Sequence, residues 1–239
     1  MGNDDGRSAA PLPRIVVSAH RVAAVQGAII VLLVLAHVAT QSVKHFGGYE
    51  FFLGIVPMFN LDAEGNVPSG FQGITLVFAA VLLFYVALHE RQRAMPSARR
   101  WLLLGFAFAY LAIDELGKVH ETFDYLATRG RNADVPYWIL PLGAFALAVA
   151  LYMLPLLRQV PRRTAQALVI SGAIYVGGAA GVEFLSQKPF AFVEFGTYAY
   201  SFEVALEEGM EMLGILLFIR ALLLYIAAKD YRATLTVAP

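Results

Sequence analysis

The sequence contains no cysteine, which excludes disulfide bonds, thiolate metal sites and cysteine nucleophiles. Charge is also scarce: 15% of the 239 residues are charged, against about 25% in soluble domains. Lys and Arg balance Asp and Glu at 18 each, so no net charge attracts nucleic acid, and we expect no such partner. With 59% hydrophobic residues, too little polar surface remains to cover a globule in water. These shortages exclude most soluble classes and indicate a membrane protein.

Six apolar segments are long enough to span a bilayer, since about 20 helical residues cross about 30 Å of hydrocarbon. The predicted fold is therefore an all-α integral membrane bundle of six transmembrane helices. The spans are residues 22–41, 70–88, 101–123, 137–157, 165–185 and 201–226. The predicted organisation is a disordered cytoplasmic tail (1–20), a six-helix transmembrane domain (21–228) and a second cytoplasmic tail (229–239).

The basic residues predict the orientation of the bundle. Most Lys and Arg lie in the two tails, in residues 89–100 and in residues 158–164. Cytoplasmic loops carry an excess of these residues. Both termini are therefore predicted to be cytoplasmic, as an even number of spans requires.

Acidic and imidazole side chains form a layer in the outer half of the predicted bundle. At about 1.5 Å of rise per residue, spans one, three, five and six place them at similar depth, whereas spans two and four carry none. A charge at the bilayer centre costs about 2.5–3.5 kcal/mol, and Lys118 is the only basic residue nearby in sequence. A bound cation, shared protons or water must therefore neutralise the layer. Its members are His37, Asp114, Glu115, His120, Glu121, Glu183, Glu207, Glu208 and Glu211.

Carboxylates with one or two imidazoles suit iron, manganese or zinc, whereas an all-oxygen set suits calcium or magnesium. The leading hypothesis is a divalent metal centre, including a di-iron centre, although the Glu-x-x-His motif of di-iron bundles is missing. Glu115 and Glu208 are the candidate catalytic proton carriers. The candidate metal ligands are Asp114, His120, Glu121, Glu183, Glu207, Glu211 and His37.

Several of these residues also fit roles that need no metal. Asp114 and Lys118 have the spacing of an intrahelical ion pair, and a lone His37 is typical of a hydrogen-bonded core histidine. Chains of intramembrane acids also serve as proton or cation pathways. A third possibility is a subunit that pairs these acids with a basic residue of a protein partner or of a second copy.

The segment between the first two spans, residues 42–69, is aromatic and half apolar, which favours a position along the membrane interface. Asn66 followed by Pro68 has the pattern of a helix start. Asp62, Glu64 and Asn66 provide oxygens at alternate positions, which would also allow the segment to close over an outer site or to bind calcium weakly.

Three motifs, FNLDAEGNVP, AIDELGKVHE and ALEEGMEMLG, together resemble a family of bacterial multipass membrane proteins without an assigned activity. The resemblance covers residues 50–225 and implies a multipass protein of the bacterial inner membrane, but no substrate or reaction. From the residues themselves we expect a carboxylate-bridged metal oxidoreductase with a periplasm-facing site, acting on a membrane lipid or a quinone-like substrate. The alternative is a cation or proton transporter, or a non-enzymatic membrane subunit.

Overall fold

A computed structural model describes residues 17–119, 122, 139–186 and 191–231. Within these ranges all regular structure is helical. Residues 177–182 form a π-helical turn, called here the π segment, and a single 3₁₀ turn, Phe52–Gly54, precedes α2. The α-helices are α1 (Ala19–Gly47), α2 (Ile55–Met58), α3 (Val67–Gln92), α4 (Ala98–Gly117), α5 (Ile139–Gln159), α6 (Arg162–Val176), α7 (Glu183–Ser186) and α8 (Tyr198–Ala228).

The membrane character of the chain is supported by four described helical stretches that are long and apolar enough to span a bilayer. They are Ala19–Gly47, Val67–Gln92, Arg162–Ser186 and Tyr198–Ala228. The predicted third span corresponds to α4, which has two arginines at one end and two acids at the other. The predicted fourth span corresponds to α5, whose described apolar part is shorter, Gly143–Gln159. The six-span topology and the orientation of the termini stay predictions.

Local sequence explains where α3 and α8 begin. The Asn66 side chain accepts a hydrogen bond from the Ser69 backbone N–H at 3.2 Å, and the Ser69 hydroxyl accepts one from the Asn66 N–H at 3.0 Å. This reciprocal arrangement is a capping box, so the predicted helix start at Asn66 is correct. Thr197 caps α8 by accepting a hydrogen bond from the Tyr200 N–H at 3.2 Å.

The last helix, α8, is the centre of the bundle and packs against α1, α3, α6 and the π segment. One buried apolar cluster joins α8 to α3 and α4 through residues such as Leu83, Trp101 and Ile219. A second cluster joins α8 to α1 through Leu33 and Met212. Because α8 is covered on several sides, a functional residue on it can meet side chains from several helices at once.

Two glycines allow the closest helix contacts of this central region. A Cβ atom at Gly214 of α8 would lie 2.8 Å from the backbone nitrogen of Tyr175 and 2.9 Å from the carbonyl oxygen of Ser171. A Cβ atom at Gly178 would lie 2.7 Å from the carbonyl oxygen of Glu207. Small residues are needed wherever transmembrane helices approach this closely. Predicted spans five and six therefore pack most closely at these two positions.

Candidate functional site

Three polar side chains from three helices meet in the half of the bundle where α1 ends and α3 and α8 begin, called here the loop end. The side-chain nitrogen of Gln72 in α3 donates to Glu115 Oε2 of α4 at 3.2 Å. The same nitrogen donates to Glu211 Oε2 of α8 at 2.9 Å. We call Gln72, Glu115 and Glu211 the Gln72 site. One amide group therefore brings two carboxylates together that are far apart in sequence.

Burial makes the hydrogen bonds of Gln72 energetically important. Gln72 is 2% exposed and Glu211 is 9% exposed. The side-chain oxygen of Gln72 has no hydrogen-bond partner within the described part of the chain. A buried acceptor without a partner costs about 1–3 kcal/mol. The Gln72 site thus contains a buried oxygen that could coordinate a bound cation or accept a hydrogen bond from a proton carrier or a water molecule.

Further ionisable groups surround the Gln72 site. The carboxylate of Glu208 interacts electrostatically with those of Glu211, Glu115 and Glu207. The phenol of Tyr175 in α6 interacts with Glu211, Glu115 and Glu208. Tyr175 was not among the predicted site residues, because a tyrosine in an apolar span is usual. Its hydroxyl adds a neutral donor and acceptor to a region that is otherwise rich in carboxylates.

The π segment brings the chain of α6 against the acidic face of α8. Gly178 lies opposite the Glu207 carbonyl and the Glu211 side chain, whose Cγ would be 3.2 Å from an added Cβ. The predicted ligand Glu183 follows this segment as the first residue of α7, and its side chain lies outside the described part. Single π-helical turns inside α-helices are rare and frequently occur at functional sites.

His37 connects three parts of the chain by hydrogen bonds. Its Nδ1 accepts a bond from the Leu61 backbone N–H at 3.0 Å, so Nε2 carries the proton and donates to the Ser201 carbonyl oxygen at 3.1 Å. The ring is 1% exposed. Both ring nitrogens are therefore engaged, and this conformation leaves no nitrogen lone pair for a metal. This geometry fits the core-histidine interpretation, and ligation by His37 stays a prediction.

The remaining predicted site residues are placed as follows. Asp114 is buried and Glu115 half-buried at the end of α4, while Glu207 and Glu208 lie half-buried on α8. His120 and Glu121 lie outside the described residues. Among the residues that are described, no three His, Asp or Glu side chains form a group that could hold a metal ion. The predicted metal ligands are thus only partly described, and the metal centre stays a prediction.

The segment between α1 and α3 folds over the loop end. The Asn66 side-chain nitrogen donates to the carbonyl oxygens of Asn60 at 2.5 Å and Ala63 at 2.6 Å. Tyr200 of α8 donates its hydroxyl to Asp62 Oδ1 at 2.9 Å, and Gln41 of α1 donates to Asn60 Oδ1 at 3.0 Å. These bonds hold the segment across α1 and α8, and they use Asp62 and Asn66 in structural roles.

A buried carboxylate at the opposite end of the bundle was not predicted as a site. Glu90 is 1% exposed. Its Oε1 accepts hydrogen bonds from the hydroxyls of Tyr225 at 2.8 Å and Tyr231 at 2.6 Å. Its Oε2 accepts one from the Ser97 hydroxyl at 2.5 Å. Glu90 therefore ties the end of α3 to the start of α4 and to the end of α8.

Both Gln72 and Glu90 were missed for identifiable reasons. An amide carries no charge, so Gln72 is not one of the titratable residues that predict the acidic layer, although a glutamine within an apolar span is itself a signal. Glu90 stands beside Arg91 and Arg93 at a span end, where an acid is normally solvated. Glu90 is buried because Tyr225 of α8 and Tyr231 after it pack against the end of α3 and bond its carboxylate.

A family model described as "Domain of unknown function (DUF8692)" matches residues 25–226. The match begins within α1 and ends within α8, so it includes the Gln72 site. No curated protein and no solved structure matches the chain.

Proposed function

We propose that the chain, which belongs to the family described as "Domain of unknown function (DUF8692)", is an integral membrane protein that binds a cation at the Gln72 site. The observation that carries this proposal is the amide of Gln72, whose nitrogen bonds two carboxylates while its buried oxygen has no partner in the described part of the chain.

Electrostatics supports a cation at this position. The two N–H bonds of an amide diverge by about 120°, so the carboxylate oxygens that they contact lie about 5 Å apart. At that distance and an effective dielectric constant of about 20, two negative charges repel by roughly 3 kcal/mol. The carboxylate of Glu208 adds to this repulsion. A proton on one of the carboxyl groups or a bound metal ion would remove it.

A divalent metal is the first candidate cation. The described donors are carboxylate and amide oxygens, which suit hard cations such as manganese, magnesium or calcium. Iron or zinc would be favoured if His120 joined the site together with Glu121 and Glu183. Bound iron or manganese would supply redox chemistry, and a site within the bilayer would favour an apolar substrate such as a lipid or quinone. We propose the oxidoreductase function on this basis, with Glu115 and Glu208 as proton carriers.

A proton is the second candidate, favoured by a specific observation. In the described ranges the acids do not form a group of three metal ligands, whereas a proton on one of the two carboxyl groups is sufficient to remove the repulsion between them. Chains of intramembrane acids serve as proton relays. On this alternative the protein is a proton or cation transporter, or a subunit of one.

The distribution of Lys and Arg predicts on which side of the membrane the site lies. The excess of Lys and Arg in the two tails, in residues 89–100 and in residues 158–164 predicts that these segments are cytoplasmic. The Gln72 site would then lie nearer the opposite surface. We propose a protein of the bacterial inner membrane with a site that opens toward the periplasm.

The first test measures metal in detergent-purified full-length protein by elemental analysis. The wild type is compared with Glu211→Gln and Glu115→Gln, with the exposed Glu194→Gln as the matched control. We expect near-stoichiometric metal in the wild type and in Glu194→Gln, and its loss in the two site variants. Absence of metal from gently purified wild type would make the metal candidate wrong.

Infrared spectroscopy then tests the proton candidate on the same four proteins. Protonated carboxyl groups give a carbonyl band that shifts in heavy water and disappears when the acid is replaced. We expect such a band in the wild type near neutral pH, reduced in Glu211→Gln or Glu115→Gln and unchanged in Glu194→Gln. If the wild type shows neither metal nor this band, the cation-binding proposal is wrong.

A further inference from the structure

A polar cleft opens at the loop end, away from the Gln72 site. Its volume is about 220 Å³, and its lining consists of Gln41, Lys44, Glu50, Val56, Pro57 and Asn60. A smaller cavity of about 100 Å³ shares Gln41, Lys44 and Asn60 with it and continues toward His45 and Asp62. The two form one polar depression between the end of α1 and the segment that follows it.

The cleft presents charges of both signs. Lys44 is half-buried in the last turn of α1, and Glu50 is exposed just after the helix. Within the described residues, neither side chain forms a hydrogen bond or ion pair, with the other or with any third group. The cleft therefore suits a ligand that carries both a negative and a positive group. Lys44 can bind the negative group while Glu50 binds the positive one.

The surroundings of the cleft are those of a membrane interface. Phe46, Phe51 and Leu53 are 76%, 70% and 84% exposed, and Phe195 across the loop end is 79% exposed. Tyrosine and tryptophan side chains at the ends of spanning helices lie at the level of the lipid headgroups, and Tyr49 beside these residues is 58% exposed. Leu53 also has a positive φ of 54°, a conformation that non-glycine residues rarely adopt. The fold thus turns apolar side chains outward on both sides of a charged cleft.

We infer that this cleft binds the headgroup of a zwitterionic aminophospholipid. Lys44 contacts the phosphate, and Glu50 contacts the ammonium group that follows it across a two-carbon spacer. The exposed aromatic residues hold the cleft at headgroup depth, where such a ligand is abundant. This site is separate from the Gln72 site, and neither proposal depends on the other.

Native mass spectrometry of the delipidated full-length protein tests this inference. Phosphatidylethanolamine is titrated against phosphatidylglycerol, which has the phosphate but lacks the amine. We expect the wild type to bind phosphatidylethanolamine more tightly. Lys44→Gln should weaken binding of both lipids by about tenfold or more, because a charge-assisted hydrogen bond is lost. Glu50→Gln should selectively abolish the preference for the amine.

Glu194→Gln is the matched control, because it removes an exposed acid at the same end of the bundle. It should bind both lipids like the wild type. Equal affinity of the wild type for the two lipids would overturn the inference, and so would unchanged binding by Lys44→Gln. Soluble phosphoethanolamine forms a further arm. If it binds as tightly as the lipid, the ligand is a free phosphate ester and the assignment to a membrane lipid is wrong.

Discussion

At the residue scale, the bundle depends on a few buried polar groups whose hydrogen bonds join helices that are distant in sequence. His37 joins α1 to Leu61 and Ser201. Gln72 joins α3 to α4 and α8. Glu90 joins α3 to the end of the chain. Buried polar groups are costly without partners, so replacing one member of each set has a measurable effect.

His37→Phe should lower the free energy of unfolding by about 2 kcal/mol or more. The phenyl ring leaves the Leu61 N–H and the Ser201 carbonyl without partners in a buried place. Thermal unfolding in detergent measures the effect. If the wild type holds a metal, the variant should keep it when folded. Loss of metal with unchanged stability would instead identify His37 as a ligand.

Glu90→Gln should destabilise the protein by about 1–3 kcal/mol, because an amide nitrogen cannot accept a bond from the hydroxyls that now point at the carboxylate. Near-ultraviolet circular dichroism reports on the site directly, since Trp101 lies against Tyr225 with ring centroids 5.4 Å apart. Glu194→Gln, at an exposed position, should leave both the spectrum and the stability unchanged. A similar loss in both variants would contradict the structural role of Glu90.

The pKa of Tyr231 predicts how the stability of the fold changes at alkaline pH. Burial and the hydrogen bond to Glu90 raise the pKa of Tyr231 from 10.0 to about 12. The folded state therefore favours the protonated phenol, and its contribution to stability is complete below pH 10 and lost as pH rises through about 12. Tyr231→Phe should reduce this alkaline loss, as pH-dependent unfolding would measure. An identical alkaline profile would contradict the assignment.

At the scale of elements, the contact between the π segment and α8 sets the position of the acidic face. Gly178 permits this contact because it has no Cβ, and Glu207 and Glu211 lie directly opposite. An α-helical turn in place of the π turn would rotate the following residues, including Glu183, relative to α8. The irregular turn therefore sets the rotation of α7 about its axis relative to α8.

Gly178→Ala and Gly181→Ala form a matched pair within the π segment. The alanine Cβ at 178 would meet the Glu207 carbonyl oxygen at 2.7 Å, whereas nothing lies within 4 Å of the Cβ position at 181. Gly178→Ala should destabilise the protein by about 1–3 kcal/mol through overpacking. Gly181→Ala should be neutral or slightly stabilising, because alanine favours helical backbone. Equal effects in thermal unfolding would contradict this contact.

At the scale of the whole molecule, the number of spans determines on which surface each loop lies. Four described helical stretches satisfy the length and hydropathy of a span, and the six-span prediction adds α4 and α5. The four-span and the six-span topologies both place residues 163 and 194 on opposite sides of the membrane. They differ at residue 129, which lies on the side of residue 194 only if α4 and α5 both cross the bilayer.

Single-cysteine labelling can decide the topology, and the absence of native cysteine makes it free of background. We expect an impermeant maleimide added to spheroplasts to label Arg129→Cys and Glu194→Cys but not Arg163→Cys. Labelling of Arg163→Cys alone would show that the protein has the orientation opposite to the predicted one. Failure to label Arg129→Cys, with Glu194→Cys labelled, would favour four spans over six. The unmodified protein is the control and should remain unlabelled.

Much of the fold follows from local sequence. Apolar runs predict the long helices because an unpaired backbone in lipid is prohibitively costly. The Asn66–Pro68 pattern predicts the start of α3 because an asparagine side chain satisfies a free N–H at a helix terminus. Helical rise predicts the depth of the acidic layer, which stays a prediction, and two of its members, Glu115 and Glu211, accept hydrogen bonds from Gln72 in the structure.

The sequence by itself therefore determined the membrane class, the all-helical architecture and the acids that deserve testing, because hydropathy and helical periodicity are local properties. Tertiary structure alone decided that Gln72 bridges two acids, that both nitrogens of His37 are engaged and that Glu90 is buried. It also decided that Lys44 and Glu50 line one cleft. Each of these facts depends on which helices are neighbours. Neighbours are selected by packing over the whole bundle, and no short stretch of sequence specifies them.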